Sequence, residues 1–560
     1  MKFLWNSPVF LRVTKGENKR EQKMNHRPAY RRQHTRVINK GYSESGASYT
    51  KKALKGMLPN SGAPTEDIDD NNYTLRQRAR MLYMSAPVCT SAIKTNRTNV
   101  VGNGLKLKST INRSVLGMSQ KQAEEWQKKT EAEFELWAGQ KKACDATGMN
   151  DFYEMQQLCL MSWLMSGDVF GIIKREKRTP LLPYSLRLHI IEADRVRTPI
   201  LGAGTTYPLT TTKVKAENGN VIYDGVEVSP SGMVQAYHIA NTYPYEFTAE
   251  KTEFVRVEAY GKKTGLPNVL HIMESERPEQ YRGVPYLAQV IESMLQIRRY
   301  TEAEIMAAVV QSFHTAFITT EAGASDMPFN EVGGDGIEEI SRDPNEYEMG
   351  PGTINIMEPG EDIKFTTPTH PNTGFDTFTR TMCALVGAAL EIPADLLLKS
   401  FDSSYSASRA ALLEAWKAFR MRRVWLTNDF CRPIYEIWLT EAVALGRITA
   451  PGFLTDPLIH QSYLGSEWIG PSQGMLDPTK ELQAAAMAIE NGLSTREQEA
   501  IKLNGSEFTA NIDKLAIENE KMQVAFGNPK QEPSSEFTNS LTKFVETVVK
   551  TEVKKQNEEE

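Results

Sequence analysis

No glycine or proline interrupts the chain between Pro285 and Phe313, and Leu287, Ile291, Met294, Ile305, Val309 and Phe313 recur on one stripe, which predicts a single long helix. A second helical stretch, Phe375 to Leu390, ends at Pro393. Between them lie an acidic, glycine-rich loop and a predicted hairpin, Ile354 and Ile356 against Ile363 and Phe365, turned at Pro359 and Gly360. A β-containing module inserted between two helices describes a stalk with a tip.

The flanking sequence divides into helices and strands. Leu75 to Val100 reads as helix, followed by a turn at Gly102 and Gly104 and a short alternation at Leu105 and Leu107. Ala123, Trp126, Thr130, Phe134 and Trp137 share one helical face. Asp151 and Glu154 have capping-box spacing, and Gly167 stands where the helix they open should close. Val169 to Ile173, Ser185 to Ile191, Met233 to Ile239 and Phe254 to Val257 read as strands. Further on, a helix runs from Tyr405 to about Asp429, and Pro433 should kink or interrupt its continuation. Helical signals return in Thr479 to Glu490 and Ser494 to Lys502, and Phe537, Leu541, Phe544, Val548 and Val553 form a last amphipathic pattern. The fold class expected is α+β, mainly helical, and at 560 residues the chain is multidomain, since single cores rarely exceed about 250–300 residues.

Several functions are disfavoured. No G-x-x-x-x-G-K-[ST] phosphate loop occurs, and the eight histidines show no ligand spacing, so neither a nucleotide nor a metal cofactor is expected. Gly470, Ser472 and Gly474 satisfy G-x-S-x-G, which keeps a serine hydrolase as the alternative of a different class; Pro471 beside the serine and Pro478 beyond it argue against the necessary strand–turn–helix. Five separated cysteines suggest a reduced, cytoplasmic product. The N-terminal stretch is broken by Asn6, Ser7 and Pro8, which speaks against a signal peptide, and no apolar run nears the roughly 20 residues of a membrane span. The sequons at Asn72, Asn96, Asn112 and Asn504 read as chance matches.

A set of short motifs, taken in order, is similar to the lambda family of phage portal proteins. It includes Arg76, Arg78, Arg80 and Pro87; Trp137, Cys144 and Asp145; Glu192, Ala193, Asp194 and Arg195; and, most specifically, Arg282, Gly283, Val284, Pro285, Tyr286 and Leu287. Ile392, Pro393, Tyr405, Ser406, Arg409, Leu413 and Glu414 follow, then Trp468, Ile469, Pro471, Asp477, Pro478 and the run Gly492 to Thr495. The resemblance implies a dodecameric ring at one capsid vertex, with wing, stem, clip and crown regions and no catalysis of its own. The wing would span 71–280, the stem helices 282–312 and 372–393, and the clip 313–371. The tunnel loop with its long helix would span 394–440 and a crown-like helical region 441–530. A basic arm, 1–61, and an amphipathic tail, 531–560, complete the division. Double-stranded DNA would pass through the channel. The implied partners are the large terminase subunit, major capsid and scaffold proteins and head-completion or tail-connector proteins, without a membrane. The location would be the virion, and the host cytoplasm during assembly.

Charge is uneven although the net charge is only −5. From Leu11 to Lys55 thirteen Lys and Arg face three Glu, in a stretch expected to be a largely flexible arm. Glu331, Asp335, Glu338, Glu339, Asp343, Glu346 and Glu348 are offset only by Arg342, and repetition around a ring would make them a negative band that repels DNA or docks the packaging motor. Lys399, Ser400, Asp402, Ser403, Ser404 and Arg409 form a short polar segment between apolar helices, expected to meet DNA with few positive charges. Arg420, Arg422 and Arg423 read as intersubunit or solvated charges.

Overall fold

Local signals set most element boundaries in the computed structural model, which describes residues 47–48, 51–57, 61–199, 213–246, 252–312, 316–318, 354–356, 374–401, 404–475 and 477–526. The chain divides into two units, Met1–Ser61 and Gly62–Glu560. In the first, the described residues include one 3-10 turn, Lys52–Leu54. The second unit carries the fold.

Helices α1 (Asp70–Ser85) and α2 (Pro87–Val100) replace the single helix predicted there. Pro87 has no N–H to continue α1 but suits the first turn of α2, so the chain breaks at Ala86. Strand β1 (Lys106–Ser109) and the short α3 (Arg113–Leu116), capped by Asn112, follow. Helix α4 (Gln120–Ala138) buries Ala123, Trp126, Thr130, Phe134 and Trp137, the face that the spacing specified. After α5 (Lys141–Cys144) comes α6 (Phe152–Ser166). The Asp151 carboxylate accepts from Glu154 N at 2.7 Å, Glu154 accepts from Asp151 N at 3.0 Å, and Gly167 closes the helix at φ +88°.

Eight strands come next: β2 (Asp168–Arg175), β3 (Leu186–Glu192), β4 (Lys213–Lys215), β5 (Val221–Tyr223), β6 (Val226–Val228), β7 (Val234–Ala240), β8 (Phe254–Glu258) and β9 (Val269–Met273). One antiparallel sheet has the order β3-β2-β9 and the other is the meander β4-β5-β6-β7-β8. Strand β2 serves two cores because successive side chains point to opposite faces. Val169 joins the helices, while Phe170 packs with Ile191, Val226, Tyr237 and Ile239 between the sheets.

The long helix begins later than predicted. A 3-10 turn, Ala288–Val290, leads into α7 (Ile291–Ser312). Leu287, Ile291 and Met294 of its stripe are buried, but Ile305 and Val309 are 57% and 41% exposed, because the distal half of α7 outruns the core of this chain. Strand β10 (Ala316–Ile318) pairs in parallel with β11 (Ile354–Ile356). Ile354 and Ile356 form β11, as the strand pattern predicts, and pair with β10; the other half of the predicted hairpin, Ile363 and Phe365, lies outside the described residues, as do Glu331 to Glu348 and Phe537 to Val553.

Helices α8 (Phe375–Ala389) and α9 (Ala394–Leu398) precede α10 (Tyr405–Leu426). Pro433 cannot donate the bond that would extend α10, so the chain widens through a π-type stretch, Thr427–Cys431, before α11 (Arg432–Ala444). Next come α12 (Pro457–Tyr463), β12 (Ser466–Ile469), which pairs with β1, and α13 (Pro478–Glu490), α14 (Arg496–Asn504) and α15 (Phe508–Phe526). The main core centres on Phe134, whose ring meets Trp438 at 5.0 Å and Phe152 at 5.6 Å; truncating such a ring costs about 3–5 kcal/mol. All five cysteines are buried and unpaired. No helix among the described residues is long and apolar enough to cross a membrane.

Candidate functional site

The loop between α9 and α10 carries the predicted DNA-facing residues. Helix α9 stops at Lys399, which adopts the left-handed conformation at φ +55°, a geometry costing a non-glycine residue about 1–2 kcal/mol. Two bonds secure the base of the loop: Ser400 N donates to Asp395 O at 3.1 Å, and Ser91 Oγ on α2 donates to Leu397 O at 2.8 Å. Lys399 and Phe401 are exposed. Asp402 and Ser403 lie outside the described residues. Ser404 caps α10, its hydroxyl accepting from Ala407 N at 3.4 Å. The Arg409 guanidinium pairs with Glu481 on α13 at 3.2 Å, beside a cavity of about 160 Å³.

Between α1, β2 and the approach to α7 lies a buried charge centre whose members the sequence did not bring together. Asp168, directly after Gly167, is fully buried. It accepts from Arg282 Nε at 2.6 Å and Nη2 at 3.2 Å, from Arg76 Nη2 at 3.4 Å, from Gly283 N at 3.1 Å and from His271 Nε2 at 3.3 Å. Burial would raise its carboxyl pKa, but Arg282 and Arg76 outweigh that and hold it well below the usual range. Arg282 also donates to Val196 O and Asp224 Oδ2, at 2.8 and 2.7 Å, and to Ala193 O at 2.9 Å. Arg76 reaches Ser166 O at 3.1 Å, and Arg80 pairs with Asp194 and Glu192. Asp69 closes the centre; burial first, and Asp224 second, push its carboxyl up to about 7.

Two glycines allow these parts to meet. A Cβ on Gly283 would fall 1.9 Å from Gly167 O, and one on Gly167 would fall 2.5 Å from Gly283 O. Only bare backbone fits on either side. Asn72 donates to Gly283 O at 3.0 Å from a fully buried position, so its sequon is architectural.

Arg422 and Arg423 correct the expectation of intersubunit or solvated charges. Arg422 is buried, donating to Asn96 Oδ1 at 3.1 Å and Glu391 at 2.6 Å, with its guanidinium 4.9 Å from the Tyr286 ring centre. Arg423 donates to the carbonyls of Val100, Asn99 and Pro471 at 2.8, 2.8 and 2.9 Å, and burial pushes its pKa down to about 10. Arginine's planar fork suits such carbonyl clusters, and a helix-face pattern does not register them.

The serine-hydrolase alternative fails on geometry. Strand β12 precedes Gly470, but Ser472 lies in an irregular loop reaching Met475, and α13 opens only at Pro478. A nucleophile elbow requires an immediate strand-to-helix turn. Gly470 serves packing instead, since a Cβ there would lie 2.5 Å from Leu105 Cδ2 and 3.0 Å from the Arg423 guanidinium. Among the described residues no group of His, Cys, Asp and Glu is placed to hold a metal.

The buried charges thus join elements of the fold, and the comparison with known proteins gives the class. The chain belongs to the lambda family of phage portal proteins: that family, described as "Phage portal protein, lambda family", matches residues 50–423. It is 22% identical over 548 residues to the portal protein of Escherichia phage N15, covering 93% of this chain and 95% of that one. It is 21% identical over 482 residues to portal protein B of Escherichia phage lambda, covering 82% and 86%. Among solved structures, the neck of a native gene transfer agent particle is similar at TM-score 0.35 and 12% identity, covering 78% of this chain and 94% of that one.

Proposed function

We propose that this chain is the subunit of a dodecameric ring at one capsid vertex, through which double-stranded DNA is packaged and later ejected. The observation that carries this reading is the family match across residues 50–423, which includes both α7 and α8 and the segment inserted between them. In this reading 71–280 is the wing, 282–312 and 372–393 the stem, 313–371 the clip, 394–440 the tunnel loop with its long helix, and 441–530 a crown-like region. The exposed distal stripe of α7 supports a helix that completes its packing against other copies. Lys399, Ser400, Asp402, Ser403 and Ser404 would meet DNA with little positive charge, giving contact without lasting adhesion. The acidic residues Glu331 to Glu348 would form a band that repels DNA at the tunnel mouth or docks the terminase motor, and the ring would later receive the tail connector. The ring would assemble with major capsid and scaffold proteins in the host cytoplasm and remain in the virion.

Electron microscopy of the purified protein tests this. Closed rings of roughly 750 kDa, twelve copies of 62.9 kDa, are expected. Monomers or dimers in every condition would overturn the reading.

A further inference from the structure

Helix α15 lies beyond the part of the chain that the family match covers. Its described ties are at its first turns: the Phe508 ring lies 5.9 Å below the Arg496 guanidinium, Asn511 donates to Ser506 Oγ at 2.6 Å, and Asp513 pairs with Lys128 of α4 at 2.9 Å. From Ile512 to Val524 every residue is exposed, including Ile512, Leu515, Ile517, Met522 and Val524, at 46%, 49%, 51%, 53% and 83%. An isolated helix of about 12–15 residues is marginal in water, and five exposed aliphatics give this one reason to seek a partner.

The spacing identifies the partner. Phe508, Ile512, Leu515, Asn519 and Met522 recur at alternating intervals of four and three, which is a heptad seam with a polar residue at one position. Ala510, Ile517 and Val524 recur every seven residues on the opposite side, about 180° away at roughly 100° per residue. A symmetric helix pair needs one apolar stripe. A helix in a closed ring meets its two neighbours through two different faces, because the interface is heterologous. When parallel copies stand side by side, the heptad stripe of one faces the Ile517–Val524 stripe of the next. Glu518, flanking the first stripe, then lies on the same edge as Lys514 and Lys521, which flank the second. The charges are complementary across this contact.

We propose that α15 of each copy packs in parallel between the α15 helices of its two ring neighbours, heptad stripe against opposite stripe; this rests on the ring reading above. The test uses the full chain carrying Leu515→Cys and Ile517→Cys together, positions that would face each other across adjacent copies. Mild oxidation of assembled rings should give a ladder of disulfide-linked multimers on a denaturing gel. The unmodified chain, whose five cysteines are buried, should give none. Each single substitution should also give none, since its thiol would face an aliphatic side chain. Dimers from Leu515→Cys alone would show a symmetric pair and overturn the proposal. Rings seen by microscopy without any ladder would overturn it while leaving the portal reading intact. Absence of rings in the unmodified chain would remove both.

Discussion

The Arg282–Asp168 centre and the loop from Lys399 to Arg409 both carry charge, and they use it in opposite ways. At the centre, Arg76, Arg80 and Arg282 meet Asp168, Asp194 and Asp224, brought from α1, β2, two turns and the approach to α7. Removing charges from water is costly, and the cost is offset only when nearly every donor and acceptor is matched. Arg282 comes close to that condition, with six protein acceptor atoms around its guanidinium. The loop leaves Lys399 in solvent, beside an exposed Phe401. Burial turns charge into geometry, whereas exposure leaves it available to a passing ligand. In the proposed ring, the first kind of charge would hold the shape while the second would meet the DNA sliding through.

The strongest way to break the comparison is at Asp168. Asp168→Asn keeps the shape but removes the buried carboxylate that two guanidiniums share, leaving Asp224 as their common partner, and we expect a loss of about 3–5 kcal/mol in denaturant unfolding of the purified protein. A loss under about 1 kcal/mol would mean that the centre is not the brace described. Asp69 gives a smaller and oppositely signed effect. Its Oδ2 is buried without a hydrogen-bond partner among the described residues, and its folded pKa of about 7 lies above the ordinary 3.8. The folded state therefore holds the proton more tightly than the unfolded state, so Asp69 favours the fold at low pH and that contribution is lost as pH rises through about 7. From about pH 6 to about pH 8 the loss should be about 1 kcal/mol, and Asp69→Asn should abolish this part of the slope. An unchanged slope in unfolding curves would show that Asp69 is already ionised in the fold.

The sequence made one side of this comparison legible and hid the other. Asp151, Glu154 and Gly167 act within one helix, and the α4 stripe follows helical period, so spacing alone recovers them. The resemblance picked out Arg76, Arg80, Asp194 and Arg282 but gave no reason why they belong together. Asp168 was legible only as a charged residue wedged between a helix-closing glycine and an apolar strand. Periodicity reports which face of an element is apolar; it does not report which distant charges converge there. For the same reason Arg422 and Arg423 read as surface charges, although carbonyls of α2 and the loop after β12 surround Arg423. Ile354 and Ile356 read as strand from their alternation, but nothing in the spacing names Ala316–Ile318, a non-local segment, as a pairing partner. Exposed Ile305 and Val309 mark another limit, since an apolar stripe does not say where the core of its own chain ends.

Arg409 offers the finest test, because it lies on the helix that follows the loop yet pairs with a carboxylate of another element. Its ion pair with Glu481 is 39% exposed on the arginine side, so Arg409→Ala should cost only about 0.2–1 kcal/mol and leave rings intact. If Arg409 is a strut between α10 and α13, Glu481→Ala should reproduce its effect, and the double variant should lose little more than either single change. Lys399→Ala should then leave stability unchanged and alter only the DNA packaged per particle. Should Arg409→Ala reduce packaging while Glu481→Ala does not, Arg409 would belong with Lys399 on the DNA side. The division between charges that brace and charges that touch would then run between Arg409 and its partner, within a single ion pair.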